Sequence, residues 1–356
     1  MTTQAKAYAA ADKDADLAPI TIERRDTGPR DVRLRIDYCG ICHSDIHYAR
    51  NDWHNARYPA VPGHEIVGRV VETGSEVSGF SVGQTVAVGC MVESCRTCAP
   101  CRDGEEQFCE RGATLTYGSD DPYAGDPHAG GVTHGGYSSR IVVREDFVLR
   151  MPDGLDPARA APLLCAGITT YSPLKHWDVG PGAKVGIIGL GGLGHMGVKF
   201  AHAMGAHTVM LTTSPEKASD AERLGADEVL VTTDRAAMKA HRSSFDLLLN
   251  TVPVSHDLNG YLGLLDRNGV MVVVGAIDRF DGLHSGSLLR NRRRLAGSMI
   301  GGIRETQEML DFCAERGVLP DVEMTTPEAV NEAWKKVIAG DVRYRYVIDM
   351  RGLRDR

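Results

Sequence analysis

The chain has 356 residues with a formal net charge of −7, long enough for about two domains with proper cores. With no basic stripe beyond 290–294, that charge speaks against a nucleic-acid partner. No run of 18 or more apolar residues exists, which excludes a membrane-spanning helix. The stretch 1–16 is polar and alanine-rich without the apolar core of a signal sequence, so the chain is expected in the cytoplasm. In that reducing compartment its nine cysteines read as metal ligands or buried thiols rather than disulfides.

In chain order, the N-terminal third shows short β-rich runs at 32–38, 66–72 and 85–88. They are punctuated by Gly63, Gly68, Gly74, Gly79 and Gly83. This spacing predicts a small barrel-like β domain whose loops carry metal ligands. Cys95, Cys98 and Cys101 are separated by two residues each, and seven precede Cys109. One short loop can therefore wrap a tetrahedral ion, and four thiolates make a closed structural zinc site. The glycine-, aspartate- and proline-bearing stretch 118–136 reads as a long surface insertion. From about 152 the pattern alternates. Strands are predicted at 185–188, 208–211, 228–231, 245–250 and 270–274, with helices at 193–204 and 215–224, which makes a doubly wound parallel sheet. After 297 come an amphipathic helix at 305–316, a second helix at 327–338 and a strand near 346–349. This tail is assigned back to the first domain.

Gly189-Leu190-Gly191-Gly192-Leu193-Gly194 follows a predicted strand and opens a helix. In that context Gly189 permits the tight turn, Gly191 lets the backbone approach a pyrophosphate, and Gly194 allows close helix–strand packing. The helix N-terminus stabilises the phosphates. After the next strand an NAD enzyme would place an acid for the ribose hydroxyls. Here the segment is Thr212-Thr213-Ser214-Pro215-Glu216-Lys217. Its hydroxyls and lysine suit a 2′-phosphate and favour NADP, the rival reading being a plain cap for the following helix. Cys42, His64 and Cys165 form a second set of ligand types, and a three-ligand zinc keeps one position open for chemistry. Cys39 and Cys42 also form a Cys-x-x-Cys pair, but no βαβ unit surrounds it to make a redox dithiol.

These segments resemble the zinc-dependent medium-chain alcohol dehydrogenases, and within them the cinnamyl alcohol dehydrogenase-like branch. The likeness is carried by Cys-Gly-Ile-Cys-His-Ser-Asp-Ile-His at 39–47, Val-Pro-Gly-His-Glu at 61–65 and the four-cysteine lobe. It continues in Leu-Cys-Ala-Gly-Ile-Thr-Thr-Tyr-Ser-Pro at 164–173, Gly-Gly-Leu-Gly-His-Met-Gly at 191–197 and Gly-Asp-Val-Arg-Tyr-Arg-Tyr at 340–346, and so covers nearly the whole chain. The resemblance implies an α/β protein. A GroES-like β-rich catalytic domain would span 1–152 and 297–356, and a Rossmann doubly wound cofactor domain 153–296. It implies two Zn²⁺: a catalytic ion on Cys42, His64 and Cys165, the Cys₂His set for which alcohol dehydrogenases are the standing example, and a structural ion on Cys95, Cys98, Cys101 and Cys109.

By the same resemblance Glu65 can approach the zinc in a resting state, and Asp45 orients the His64 imidazole. Ser44 hydrogen-bonds the substrate oxygen, and His47 passes its proton to solvent through the cofactor ribose. His43 lies near the pyrophosphate. NADP(H) contacts are expected from Gly189, Gly191, Gly192, Leu193 and Gly194, from Thr212, Thr213, Ser214 and Lys217, and from Thr169, Val274, Gly275, Ser298 and Ile300. Cys39, Cys90 and Cys313 are read as structural. The expected reaction interconverts primary aromatic or medium-chain alcohols and aldehydes, in a homodimer joined near 283–295. A polyol or secondary-alcohol dehydrogenase of the same superfamily is the rival within enzymes. The other rival is a non-catalytic zinc- and nucleotide-binding relative, which would have lost Cys42, His64, Ser44 or His47. The loop at 120–134 is longer and more acidic than the branch leads one to expect, and His54 follows Trp53, so the substrate is less defined than the chemistry.

Overall fold

A computed structural model describes residues 2–123, 131–276, 279–280 and 282–353, so 124–130 of the expected surface insertion lie outside the described residues. The chain divides into two compact units, Met1–Cys165 with Gly301–Arg356, and Ala166–Ile300. The breaks expected at 152 and 296 fall upstream of these. The turns Pro157–Ala160 and Ala161–Leu164 pack on strands of the first unit, with 160–164 fully buried.

The first unit is built on a seven-stranded sheet. Its order is Val322–Thr325, Arg345–Asp349, Asp31–Gly40, Ile66–Thr73, Thr85–Val88 and Leu149–Arg150, with Arg140–Arg144 also pairing Asp31–Gly40. Only Val322–Thr325 and Arg345–Asp349 run parallel. Strand Asp31–Gly40 organises the unit. Its residues Val32, Leu34 and Ile36 are buried, as are Ile66, Val67, Val70, Val86 and Val88 on the strands beside it. The C-terminal strand closes beside it, Val347 opposite Gly40 and Ile348 opposite Cys39. The hairpin of Thr2–Ala9 and Ala18–Arg25 was not visible in the sequence pattern.

The second unit carries a six-stranded parallel sheet in the order Glu228–Val231, His207–Thr212, Lys184–Ile188, Phe245–Asn250, Leu265–Val273, Arg294–Gly297. This is the doubly wound order that reverses beside the first strand. Strands covered on both faces read as near-continuous apolar runs. Val185, Ile187, Val209, Leu211, Leu248, Leu249 and Met271 are accordingly all but inaccessible. The single helix expected over 215–224 is a 3₁₀ turn, Pro215–Lys217, followed by Ala218–Arg223. Helix Ala166–His176 escaped the periodicity reading because 166–174 are buried on every side and Pro173 interrupts the helical signal.

Candidate active site

Helix His43–Ala49 begins at Cys42, and the Asp45 carboxylate accepts from the Cys42 N–H at 2.9 Å. An acid at the third helical position thereby caps the helix and sets the Cys42 side chain. The same carboxylate accepts from the Gly63 N–H (3.0 Å) and from the Tyr137 hydroxyl (3.2 Å), and lies 3.3 Å from His64 Nδ1. Asp45 is fully buried. It ties the two ligand loops together, and its partners keep its charge tolerable away from water. Gly63, at φ +107°, makes the turn that presents His64, and a Cβ there would strike the Tyr137 ring at 2.7 Å.

Cys42 Sγ and Cys165 Sγ are 3.9 Å apart, and Ser44 Oγ lies 3.6 Å from Cys42 Sγ. One ligand atom from each of Cys42, His64, Glu65 and Cys165 lies within 4.8 Å of all the others. The hydrogen bond between the two thiols holds Cys42 well below the ordinary thiol range and raises Cys165. Burial pushes the Glu65 carboxyl up to about 7, against the pull of the adjacent Arg345 guanidinium. One carboxylate oxygen pairs with Arg345, while Oε2 is buried with no partner among the described residues. Two thiols, an imidazole and an orphaned carboxylate oxygen form a donor set that fits zinc.

The lobe forms a second cluster, the Sγ atoms of Cys95, Cys98, Cys101 and Cys109 again within 4.8 Å. Backbone N–H groups already point at its sulfurs, Cys98 to Cys95 and Cys95 to Cys109, both at 3.4 Å. Hydrogen bonds from the Thr97 and Cys98 backbone draw Cys95 down to about 5, whereas burial pushes Cys101 up to about 12. None of the nine cysteines is in a disulfide. The lobe thus fits a closed structural zinc.

In the second unit the 189–194 turn, the segment 212–217, Val274 with Gly275, and Ser298 each follow the C-terminal end of a strand of the parallel sheet, the edge at which ligands of this fold bind. Gly189 ends Lys184–Ile188 at φ +92°. A Cβ on Gly194 would lie 1.8 Å from the Gly189 carbonyl oxygen, while one on Gly191 meets nothing within 4 Å. The first glycine pair closes the helix onto the strand, and Gly191 leaves open backbone of the kind a pyrophosphate needs. Gly192 and Leu193 complete the turn into helix Gly194–Ala203. Val274 and Gly275 both donate to Asn250 O, and Ser298 donates to Val273 O. Lys217 Nζ reaches Leu190 O at 3.4 Å. Thr213 and Glu216 are exposed and Ser214 half-buried, but Thr212 is buried with its hydroxyl accepting from the Ser214 N–H at 3.0 Å. Thr212 therefore serves its own turn. Thr169 is buried in helix Ala166–His176.

His47 Nδ1 lies 2.7 Å from Asp52 Oδ2, with the Trp53 ring 5.5 Å from the imidazole. The Asp52 N–H returns to His47 O, so the turn after the helix folds the acid back onto the histidine. Sequence reading missed Asp52, although Asn51-Asp52 just beyond a helix end is a turn signal. It also missed Tyr117, whose hydroxyl is 3.1 Å from His64 Nδ1, and Tyr137 and Arg345. Cys90, set aside as a buried thiol, is half-buried and hydrogen-bonded towards Cys165 and Leu164 O.

Residues 28–153 match the family described as alcohol dehydrogenase GroES-like domain, and residues 192–315 match zinc-binding dehydrogenase. The chain belongs to the zinc-binding alcohol dehydrogenase family, in its cinnamyl alcohol dehydrogenase-like branch. It is 52% identical to the aldehyde reductase YahK of Escherichia coli strain K12, over 98% of this chain and 99% of that one. Among solved structures it resembles a cinnamyl alcohol dehydrogenase of Sorghum bicolor, SbCAD4, with TM-score 0.94 and 42% identity over 99% of this chain and 100% of that one. The Helicobacter pylori cinnamyl alcohol dehydrogenase complexed with NADP(H) matches with TM-score 0.90 and 40% identity, covering 98% and 99% of the two chains.

Proposed function

We propose that this protein is an NADP(H)-dependent alcohol dehydrogenase and aldehyde reductase. It would interconvert primary aromatic or medium-chain alcohols and aldehydes, with the first unit catalytic and the second holding the cofactor. The observation that carries the reading is the convergence of Cys42, His64, Glu65 and Cys165 on one point, beside a hydroxyl on Ser44. Zinc held by Cys42, His64 and Cys165 would supply Lewis-acid polarisation of the substrate oxygen. The nicotinamide would supply or take the hydride.

The chain's own residues do the rest. Ser44 can both donate and accept a proton at Oγ. His47 carries a proton between that region and solvent, and the Asp52 carboxylate fixes its ring by holding Nδ1. Asp45 and Tyr117 hold His64 from its Nδ1 side, leaving Nε2 as the ligand atom. Asp52→Asn is expected to lower kcat for alcohol oxidation by about ten- to a hundredfold, at or below the lower end of the roughly 10²–10⁴-fold that a general base itself contributes, because Asp52 acts only through His47. The KM for NADP should move less than twofold, and an unchanged kcat would remove Asp52 from the proton path.

The cofactor reading assigns the 2′-phosphate to Lys217, Ser214 and Thr213, the pyrophosphate to 189–194 and His43, and the nicotinamide half to Thr169, Val274, Gly275, Ser298 and Ile300. The test is steady-state kinetics on a panel of aromatic, aliphatic and polyol alcohols and their aldehydes, with NADPH and NADH in parallel. Preference for NADPH with aldehydes is expected. In Lys217→Ala that preference should shrink about tenfold or more, since a hydrogen bond to a charged group carries about 1.5–3 kcal/mol. Equal use of both cofactors by the unsubstituted enzyme would overturn the reading.

Strand Arg294–Gly297 is one of the two edge strands of the second unit's sheet, and Leu283 and Leu289 stand exposed nearby in sequence. That edge is the proposed homodimer contact, and light scattering at the mass of one chain would exclude it. No helix among the described residues is long and apolar enough to cross a membrane. Cytoplasmic residence is the proposed location, to be checked by fractionation.

A further inference from the structure

The four-cysteine lobe grips another part of its own unit. Glu106, on the 3₁₀ turn Glu106–Phe108, places Oε2 2.9 Å from the N–H of Ile303, the first residue of the 14-residue helix Ile303–Arg316. The first turn of a helix leaves its N–H groups unpaired and favours a negative charge. Gly302 at the cap position has no side chain to offer, so the lobe supplies the carboxylate instead. The fit is close: a Cβ on Gly302 would lie 1.7 Å from Gly104 O and 2.8 Å from Glu106 Oε2. Arg304 donates to Asp103 O, and its guanidinium covers Gly104, where a Cβ would meet Cζ at 2.8 Å. Residues 302–304 are thus held by 103–106, the stretch between the third and fourth cysteines of the lobe.

A second observation lies just upstream. Ile300 has φ +42°, in the left-handed region, which a β-branched residue avoids. Such strain persists only where neighbouring structure over-determines the backbone, and it collects at ligand clamps. Here the chain is pinned on both sides of the kink. Ser298 N donates to Val273 O on one side, and the lobe holds 302–304 on the other.

We propose that Glu106 is a positioning residue for the cofactor. By capping helix Ile303–Arg316 it holds 298–300 in the bent form that meets NADP(H), and ties cofactor affinity to the integrity of the lobe. The inference rests on the assignment of Ser298 and Ile300 to the cofactor. Its test uses purified enzyme with measured zinc content. In Glu106→Ala, the KM and the fluorescence-measured Kd for NADPH should rise about three- to tenfold, the size expected for losing one helix cap. The kcat should stay within about twofold, zinc should stay at two per chain, and amide hydrogen exchange should speed up over 298–306.

Glu106→Gln keeps an acceptor oxygen and should restore most of the affinity, which a role in bulk stability alone would not require. Should Glu106→Ala lose the lobe's zinc, Arg304→Gln decides the matter, since it removes the donor to Asp103 O and the guanidinium over Gly104 while leaving Glu106 and the four cysteines in place. It should weaken NADPH binding in the same direction by a smaller factor, and unchanged binding in this variant would overturn the inference. Saturable NADPH binding by the unsubstituted enzyme with unchanged Kd in Glu106→Ala would overturn the inference alone. No saturable NADPH binding by the unsubstituted enzyme would overturn the cofactor reading and this inference with it.

Discussion

Cys42→Ala is expected to leave one zinc per chain where the unsubstituted protein carries two, and to lower turnover by at least about a thousandfold. A metal Lewis acid contributes several kcal/mol of charge stabilisation in the transition state, and each 1.4 kcal/mol is about tenfold in rate. The variant should still fold, because Cys42 is half-buried, and the helix it precedes is capped by Asp45 through the Cys42 backbone N–H rather than the sulfur. NADPH binding should change little, since the glycine turn and Lys217 lie in the other unit. Elemental analysis, fluorescence titration of NADPH and aldehyde reduction measure the three effects separately. A Cys42→Ala protein with two zinc ions and near-normal turnover would end the assignment of this cluster as the reaction centre.

Arg345→Ala is expected to produce the largest loss of stability among single changes near the site. Arg345 and Glu65 are paired, with side chains 6% and 0% exposed. Removing one partner of a buried pair leaves an uncompensated charge and typically costs about 3–5 kcal/mol. Here the abandoned carboxylate would also face the thiolate of Cys42, which makes its position worse. Gly40 adds a geometric constraint, because a Cβ there would lie 1.9 Å from Glu65 Oε2, so the carboxylate sits in a slot made by a glycine strand end. Urea unfolding of Arg345→Ala and of Arg345→Ala/Glu65→Gln measures the effect. The second variant should recover a large part of the loss, since it removes the stranded charge. Equal stability of Arg345→Ala and the unsubstituted protein would show that the pair is not organising this part of the fold.

The lobe and the open site are assembled differently. In the lobe all four ligands come from a segment of fifteen residues or fewer, 95–109, and backbone N–H groups of that segment already face the sulfurs. The open site depends on partners recruited from across the first unit. Asp45 draws on Tyr137, 92 positions away, and Glu65 on Arg345, 280 positions away. That difference explains why the lobe tolerates being read as a local motif while the open site does not.

Local chemistry was therefore legible from residue order. The cysteine spacing of the lobe, the glycine turn after an apolar strand, and the runs at 185–188 and 245–250 each encode their geometry within a few residues. Short-range periodicity and turn requirements are enough to see them. The tertiary structure alone decided which distant side chains meet. It placed Tyr117 and Asp45 on one nitrogen of His64, set Asp52 against His47, brought Arg345 to Glu65, and packed the lobe onto the start of helix Ile303–Arg316. Such contacts follow from how the strands of the first unit close on one another. A tyrosine or arginine far along the chain carries no local mark of the buried charge it will neutralise.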